Sequence, residues 1–205
     1  SSINLIGIVG DDFPELGWEL FKKYNINTDL VTVKEGKTFS WGGKYSNDYS
    51  SRETLYTDLG VFDNYQPSIE QSINTNYLYL GNIQPSLQLD VMNKIKEKKR
   101  IVSDTMNLWI NLDQEGLWDV IKKTDIFMLN DEEAIELTNK SDLNEIANDF
   151  LKIGPDIVII KKGANGSMLV SDKEVIEIPI YDKIELFDPT GAGDSFAGGL
   201  VGYFS

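Results

Sequence analysis

The residue types best suited to chemistry cluster near the C-terminal end, in Asp188-Pro189-Thr190-Gly191-Ala192-Gly193-Asp194-Ser195. Gly191, Ala192 and Gly193 bring main-chain N–H groups to a predicted helix start, where unpaired donors and the helix dipole favour an anion. Asp194 adds a carboxylate in the first turn of that helix. A plainer reading makes Asp194 a complement to the helix dipole. A carboxylate beside a bound phosphate is repulsive, however, unless a metal offsets it or the chemistry needs a base. Phosphoryl transfer to an alcohol needs both an anion cradle and a base. The P-loop pattern requires Gly-Lys-Ser/Thr where this chain has Gly193-Asp194-Ser195, so its phosphate-gripping lysine is absent. The dinucleotide fingerprint requires glycine or alanine where Phe196 stands, and Ala197 meets only a looser spacing.

Composition narrows the chemistry further. The 205 residues include no histidine and no cysteine. Imidazole and thiolate metal sites, disulfides and a histidine base are therefore excluded, and a general base must be a carboxylate, lysine or tyrosine. Zero cysteines fit a reducing, cytoplasmic setting. A formal net charge of −14 argues against a nucleic-acid binder. It also opposes a nucleotide, so a nucleotide enzyme of this charge needs local donors and a magnesium ion. The hydrophobic share of 41% and charged share of 25% are ordinary for a globular chain of one main domain. No apolar run approaches a membrane span and no signal peptide opens the chain.

The elements that must position these residues alternate in type. Asn4 to Val9 reads as a strand and Gly10-Asp11-Asp12 as a turn, with Asp12 predicted to cap a helix that runs from Pro14 to about Tyr24. Asp11 and Asp12 lack partner ligands, which favours turn and cap roles over metal binding. From 29 to 59 the pattern changes to short strands. Lys37, Phe39, Trp41, Gly43 and Tyr45 share one face, Ser46-Asn47-Asp48 turns, and Arg52, Thr54, Tyr56 and Asp58 share a face of the return strand. This hairpin has an aromatic face and is too small to hold its own core. Beyond a polar linker, strands at Tyr77–Leu80, Ile101–Ser103, Ile126–Leu129 and Ile157–Lys161 alternate with helices at Pro85–Lys98, Gln114–Lys122, Asp131–Thr138 and Asp142–Leu151. The basic run Lys94 to Arg100 reads as a solvated helix end. A hairpin, Ser167–Ser171 with Glu174–Pro179, follows, and an apolar run, Ile184 to Phe187, leads into the glycine loop. Strands spaced by helices predict an α/β fold with a mostly parallel sheet and ligands at the strands' carboxyl ends.

The long match Asp188-x-Thr190-Gly-x-Gly-Asp194, followed by small residues, resembles the signature of the ribokinase-type carbohydrate kinase family (PfkB family), which phosphorylates sugars and nucleosides. The resemblance covers the chain from its first strand to Ser205. It implies a ribokinase-like core from residues 1–28 and 60–205 with an inserted β-sheet lid at 29–59, through which many members form homodimers. It implies ATP and magnesium as cofactors, Asp194 as general base, and Gly191, Ala192 and Gly193 as an anion hole. A sugar is the expected acceptor, with a nucleoside as the alternative.

Other positions gain roles from the same resemblance. Asn130 and Glu133, read alone, form a helix cap with its box-closing partner. In the family an Asn-x-x-Glu motif here organises magnesium and its waters. Asp104-Thr105-Met106-Asn107 is similar to the family's Asp-x-Asn element, with the asparagine one residue late. Lys161-Lys162-Gly163 is a glycine-rich turn by itself. The resemblance lays Lys161 and Gly163 along the nucleotide, although a small hydroxyl residue is often found where Lys161 stands. Thr190 and Asp188 match positions that hold a monovalent cation in several members, so potassium use is open. The N-terminal di-glycine motif and the segments that complete the adenine pocket are missing, so the chain is expected to be part of a longer enzyme. A catalytically silent nucleotide- or sugar-binding regulator is the rival from another class, and a dinucleotide oxidoreductase a weaker one.

Overall fold

The computed structural model describes residues 2–46, 52–70, 72–181 and 188–204. The apolar run at 184–187 and the turn residues Asn47 and Asp48 lie outside them. The chain divides into two compact units, Ser1–Glu70 and Gln71–Ser205.

In the first unit, β1 (Ile3–Gly10) and β2 (Ile26–Lys34) pair in parallel through α1 (Glu15–Lys23). β3 (Ser40–Tyr45) and β4 (Arg52–Asp58) form a separate antiparallel hairpin. The expectation that Asp12 caps α1 is corrected. Pro14 is the capping residue, with no side-chain bond. Asp12 instead accepts hydrogen bonds from Thr38 N–H (2.7 Å) and Thr38 Oγ1 (2.6 Å), and Asp11 accepts one from Gly36 N–H. The turn acids thus pin the approach to β3. On the hairpin, an added Cβ at Gly42 would meet the Tyr56 ring and one at Gly43 the Trp41 ring, so the expected single aromatic face is corrected. The register shift at Gly42/Gly43 puts Tyr56 with Gly42 on one face and Thr54 with Gly43 and Trp41 on the other.

The second unit is a six-stranded sheet in the order β10-β9-β8-β7-β6-β5. β5 (Asn74–Leu80), β6 (Glu97–Ser103), β7 (Ile126–Asn130) and β8 (Ile157–Lys161) are parallel; β9 (Ser167–Ser171) and β10 (Val175–Ile178) continue antiparallel. Side chains alternate between two cores, as the period of two requires. Phe127, Leu129, Val158 and Ile160 face α4 (Gln114–Ile121), α5 (Asp131–Thr138) and α6 (Leu143–Ile153) through Leu117, Ala134, Leu137 and Phe150. Ile126, Met128 and Ile159 pack on the other side with Ala197, Phe196, Leu200 and Val201 of α7 (Ala192–Phe204). The sheet is covered on both sides, which is why β7 and β8 read as continuous apolar runs. Several boundaries differ from the sequence reading, among them the start of β5, which is Asn74 and not Tyr77, and the junction of the helix from Pro85 with β6. α2 (Pro85–Lys94) stops at Lys94, and the basic run enters β6 instead of ending a helix. Only the inner half of β6, from Ile101, is buried, so its outer half carries no apolar alternation to betray a strand. Lys98 Nζ donates to the carbonyls of Met92 (2.8 Å) and Ile95 (2.6 Å), supplying the partners that the helix end lacks. A short helix, α3 (Asn107–Leu112), was also not anticipated.

Candidate active site

Asp104 follows β6, Asn130 ends β7, and Lys161 ends β8, so three carboxyl ends of parallel strands supply one row of polar side chains. Asn130 and Lys161 are partners in the strand register. Asn130 caps α5 with a complete capping box: Glu133 N–H donates to Asn130 Oδ1 (2.7 Å), and Asn130 N–H donates to Glu133 Oε2 (2.8 Å). The structural half of the sequence reading is thus present as geometry. Glu133 is 5% exposed. Burial pushes its pKa up to about 7, with Asp104 and Glu132 adding to the rise, while the Asn130 N–H and Lys161 oppose it.

Lys161 is the link the sequence did not reveal. Its Nζ donates to both carboxylate oxygens of Asp104, at 3.0 and 2.8 Å. Asp104 is 5% exposed, and the lysine side chain 19%. Burial raises the Asp104 pKa against the lowering influence of the Lys161 ammonium. Gln88, a side chain with 1% exposure, donates from Nε2 to the carbonyls of Gly81 (2.9 Å) and Asp104 (3.2 Å). Asn107, predicted beside Asp104, turns away and donates to Glu136. Glu136 lies on α5. Two buried hydroxyls, Tyr79 and Thr105, have no hydrogen-bond partner among the described residues. Burial first, then the charges of Asp104 and Asp194, raise the Tyr79 pKa.

The glycine loop opens α7. Gly191 has φ +75°, in the left-handed region where glycine carries no Cβ penalty. Ala192 N–H donates to the Pro189 carbonyl (3.1 Å), and Ser195 N–H donates to the Gly191 carbonyl (2.8 Å). The N–H groups of Gly191 and Gly193 have no such partner among the described residues. Asp194 lies in the exposed first turn of α7. A Cβ built on Gly193 would stand 3.5 Å from Lys161 Nζ, which puts the ammonium at the loop. Thr190 N–H donates to Asp188 Oδ1 (2.8 Å), and the Thr190 bonds hold the Asp188 pKa below the ordinary carboxylate value. Gly163, at φ +52° in a one-turn 3-10 segment (Gly163–Asn165), follows β8 with open space around it. The structure therefore brings Lys161 to the Gly191–Gly193 loop and to Asp104, and it places Asn130 on the neighbouring strand end with Glu133 in the first turn of α5.

The donor set suits magnesium. The candidate ligands are oxygens, and no group of three or more acidic residues among the described residues could hold an ion unaided. Magnesium is commonly held by one or two carboxylates together with substrate phosphates and retained waters. Glu133 Oε2 is occupied by the cap bond, which leaves its second oxygen available, directly or through water.

Parallel strands whose carboxyl ends carry a polar row, facing a helix opened by a glycine turn, define an α/β protein with its ligand site at the strand ends. The chain belongs to the pfkB family of carbohydrate kinases, whose family model matches residues 1–204. A cytidine kinase of Thermococcus kodakarensis is 26% identical over 99% of this chain and 74% of its own length. A nucleoside kinase of Methanocaldococcus jannaschii is 26% identical over 96% of this chain and 64% of its own. An uncharacterised sugar kinase of Archaeoglobus fulgidus is 30% identical over 97% and 81%. The chain thus spans about two thirds to four fifths of these relatives. The solved M. jannaschii nucleoside kinase, an archaeal member of the ribokinase family, superposes with a TM-score of 0.80 at 24% identity, covering 98% of this chain and 66% of that one. A protein from E. coli assigned as a ribokinase II and solved with ATP and Mg2+ gives 0.77 at 20% identity, covering 97% and 68%. The expected ribokinase-like fold is the observed one.

Proposed function

We propose that the protein is an ATP- and magnesium-dependent kinase that transfers the γ-phosphoryl group to a hydroxyl of a nucleoside or sugar. The observation that carries this reading is the conjunction at the start of α7: a left-handed Gly191, N–H groups at Gly191 and Gly193 that have no partner among the described residues, the Lys161 ammonium beside Gly193, and Asp194 in the same turn. Asp194 takes the proton from the acceptor hydroxyl as its oxygen attacks the γ-phosphorus. The bond from that phosphorus to the leaving ADP oxygen breaks, and the loop N–H groups stabilise charge on the phosphoryl oxygens. Ala192 N–H, bonded to Pro189, contributes to the turn's shape before it contributes to the anion. Bound magnesium would neutralise phosphate charge, and Asn130 and Glu133 would hold it, partly through water. Lys161 and Gly163 would flank the nucleotide phosphates, and Asp188 with Thr190 is the proposed monovalent-cation position. The β3–β4 hairpin, within the proposed lid at 29–59, would cover the acceptor and exclude water. Its exposed Phe39 and Tyr56 offer rings for stacking.

The sequence favours a sugar. The cytidine and nucleoside kinases among the relatives support a nucleoside, and we assign a nucleoside as the first acceptor to test. A coupled ADP-release screen of nucleosides, pentoses and hexoses on the full-length protein tests the activity. Acceptor-independent ATP consumption, or none with any acceptor, would refute it. In the active protein Asp194→Asn should lower kcat by about 10²–10⁴-fold with ATP affinity largely kept. Near-normal turnover would remove Asp194 from the role.

A further inference from the structure

Asp104 is immobilised on every side. Its N–H donates to the Leu80 carbonyl (3.1 Å), its own carbonyl accepts from Gln88, and its Oδ1 accepts from Thr105 N–H (3.0 Å) as well as from Lys161. The carboxylate that results is fixed, buried and aimed across the end of β7 at the last residue of β8. Lysine has a flexible four-carbon stem and a compact ammonium, so without an anchor it would sample many positions in solvent. Here both oxygens of one rigid carboxylate hold it, and the same nitrogen stands at the Gly193 turn. A lysine that served only to neutralise Asp104 would have no need to lie beside the loop in which the Gly191 and Gly193 N–H groups have no partner among the described residues.

We infer that Asp104 is a positioning residue that fixes the Lys161 ammonium beside Gly193, where it contacts the distal phosphate oxygens of a nucleoside triphosphate. The inference rests on the phosphoryl-transfer reading and names two residues that set its donor affinity. Asp104 acts through Lys161 and need not touch the nucleotide. The arrangement also keeps a cation among Asp104, Glu133 and Asp194, whose combined charge would otherwise repel a polyphosphate.

The test is isothermal calorimetry of ATP and of AMP, each with magnesium, on the full-length protein and on Lys161→Met, Asp104→Asn and the double variant. Lys161→Met and Asp104→Asn should each weaken ATP about tenfold or more, a loss typical of a charged hydrogen bond. The double variant should bind ATP no more weakly than Lys161→Met alone, because Asp104 has no other route to the nucleotide. AMP, which lacks the distal phosphates, should change by less than about threefold in all three. The double variant removes both charges together, so it avoids a stranded buried ion and keeps the test available if a single variant misfolds. Wild-type ATP affinity in Asp104→Asn or in the double variant would overturn the inference. So would multiplying losses in the double variant, or AMP weakening in step with ATP. Wild-type ATP binding without acceptor-dependent turnover would refute the kinase reading while leaving this one standing. A wild-type protein that binds no ATP would overturn both.

Discussion

At Glu133 a single carboxylate serves two demands that pull in opposite directions. As the closing half of a capping box it must accept the Asn130 N–H, and as a buried acid it resists ionisation, so its pKa rises from 4.5 to about 7. An acid whose folded pKa exceeds its unfolded value favours the fold most when protonated. The folded state holds the extra proton between pH 4.5 and about 7, so stability falls as pH rises through that window. Without magnesium, Glu133→Gln should keep the cap and flatten this fall. The cost removed is on the order of 3 kcal/mol at most, since one pKa unit is about 1.4 kcal/mol. Urea melts at pH 5 and 7.5 read it directly; an unchanged pH slope in the variant would show that Glu133 ionises freely. The places of Asp194, Asn130, Glu133 and Lys161 at strand ends and helix starts were legible in the sequence, whereas the roles proposed for Asn130, Glu133 and Lys161 came from the family resemblance. The Lys161–Asp104 pair was not legible, because 57 residues separate its members and β7 lies between their strands. Sequence spacing carries no record of a contact made across an intervening strand.

The elements explain why most of the architecture could be read and some boundaries could not. β7 and β8 are apolar throughout because both of their faces are covered, and the sequence shows them without ambiguity. β6 hides its outer half behind Glu97, Lys98, Lys99 and Arg100, four charged residues in a row that remove the alternation that marks a strand. α3 is too short, at six residues, to repeat a helical apolar period. The central strand also sets a stability prediction. Leu129 is fully buried between the sheet and the α4–α6 layer, one residue before Asn130. Leu129→Ala should cost about 2–5 kcal/mol, from the transfer and cavity terms together. The expected readout is a lower denaturant midpoint with an unchanged m-value; a loss under about 1 kcal/mol would mean that the layer collapses into the space.

At the scale of the molecule the two units differ in how much they bury. Among the described residues, Val61 and Tyr65 are the buried hydrophobic residues of the first unit; the remainder of the buried apolar core lies in 71–205. A chain of some 130 residues with two cores about a covered sheet has the means to fold alone, whereas a 70-residue piece with so little buried does not. The fragment 71–205 should therefore unfold cooperatively in urea, and 1–70 should show no cooperative transition. The reverse result would place the stabilising contacts elsewhere. No helix among the described residues is long and apolar enough to cross a membrane. The net charge of −14 is an obstacle to nucleotides, and the Lys161 ammonium paired with Asp104 is the local answer we propose to it.

Gln88 lies inside the protein, under the ends of β5 and β6, and its amide ties both strand ends together. Its effect is a matter of timing. The ordering of Gly81 and Asp104 is completed when the chain folds, so a ligand arriving later meets a frame that need not lose further freedom. Entropy that would have opposed each binding event is spent once, at folding. Under the proposed reading, a buried amide that bonds only to backbone carbonyls thereby helps to set how tightly a nucleotide is held.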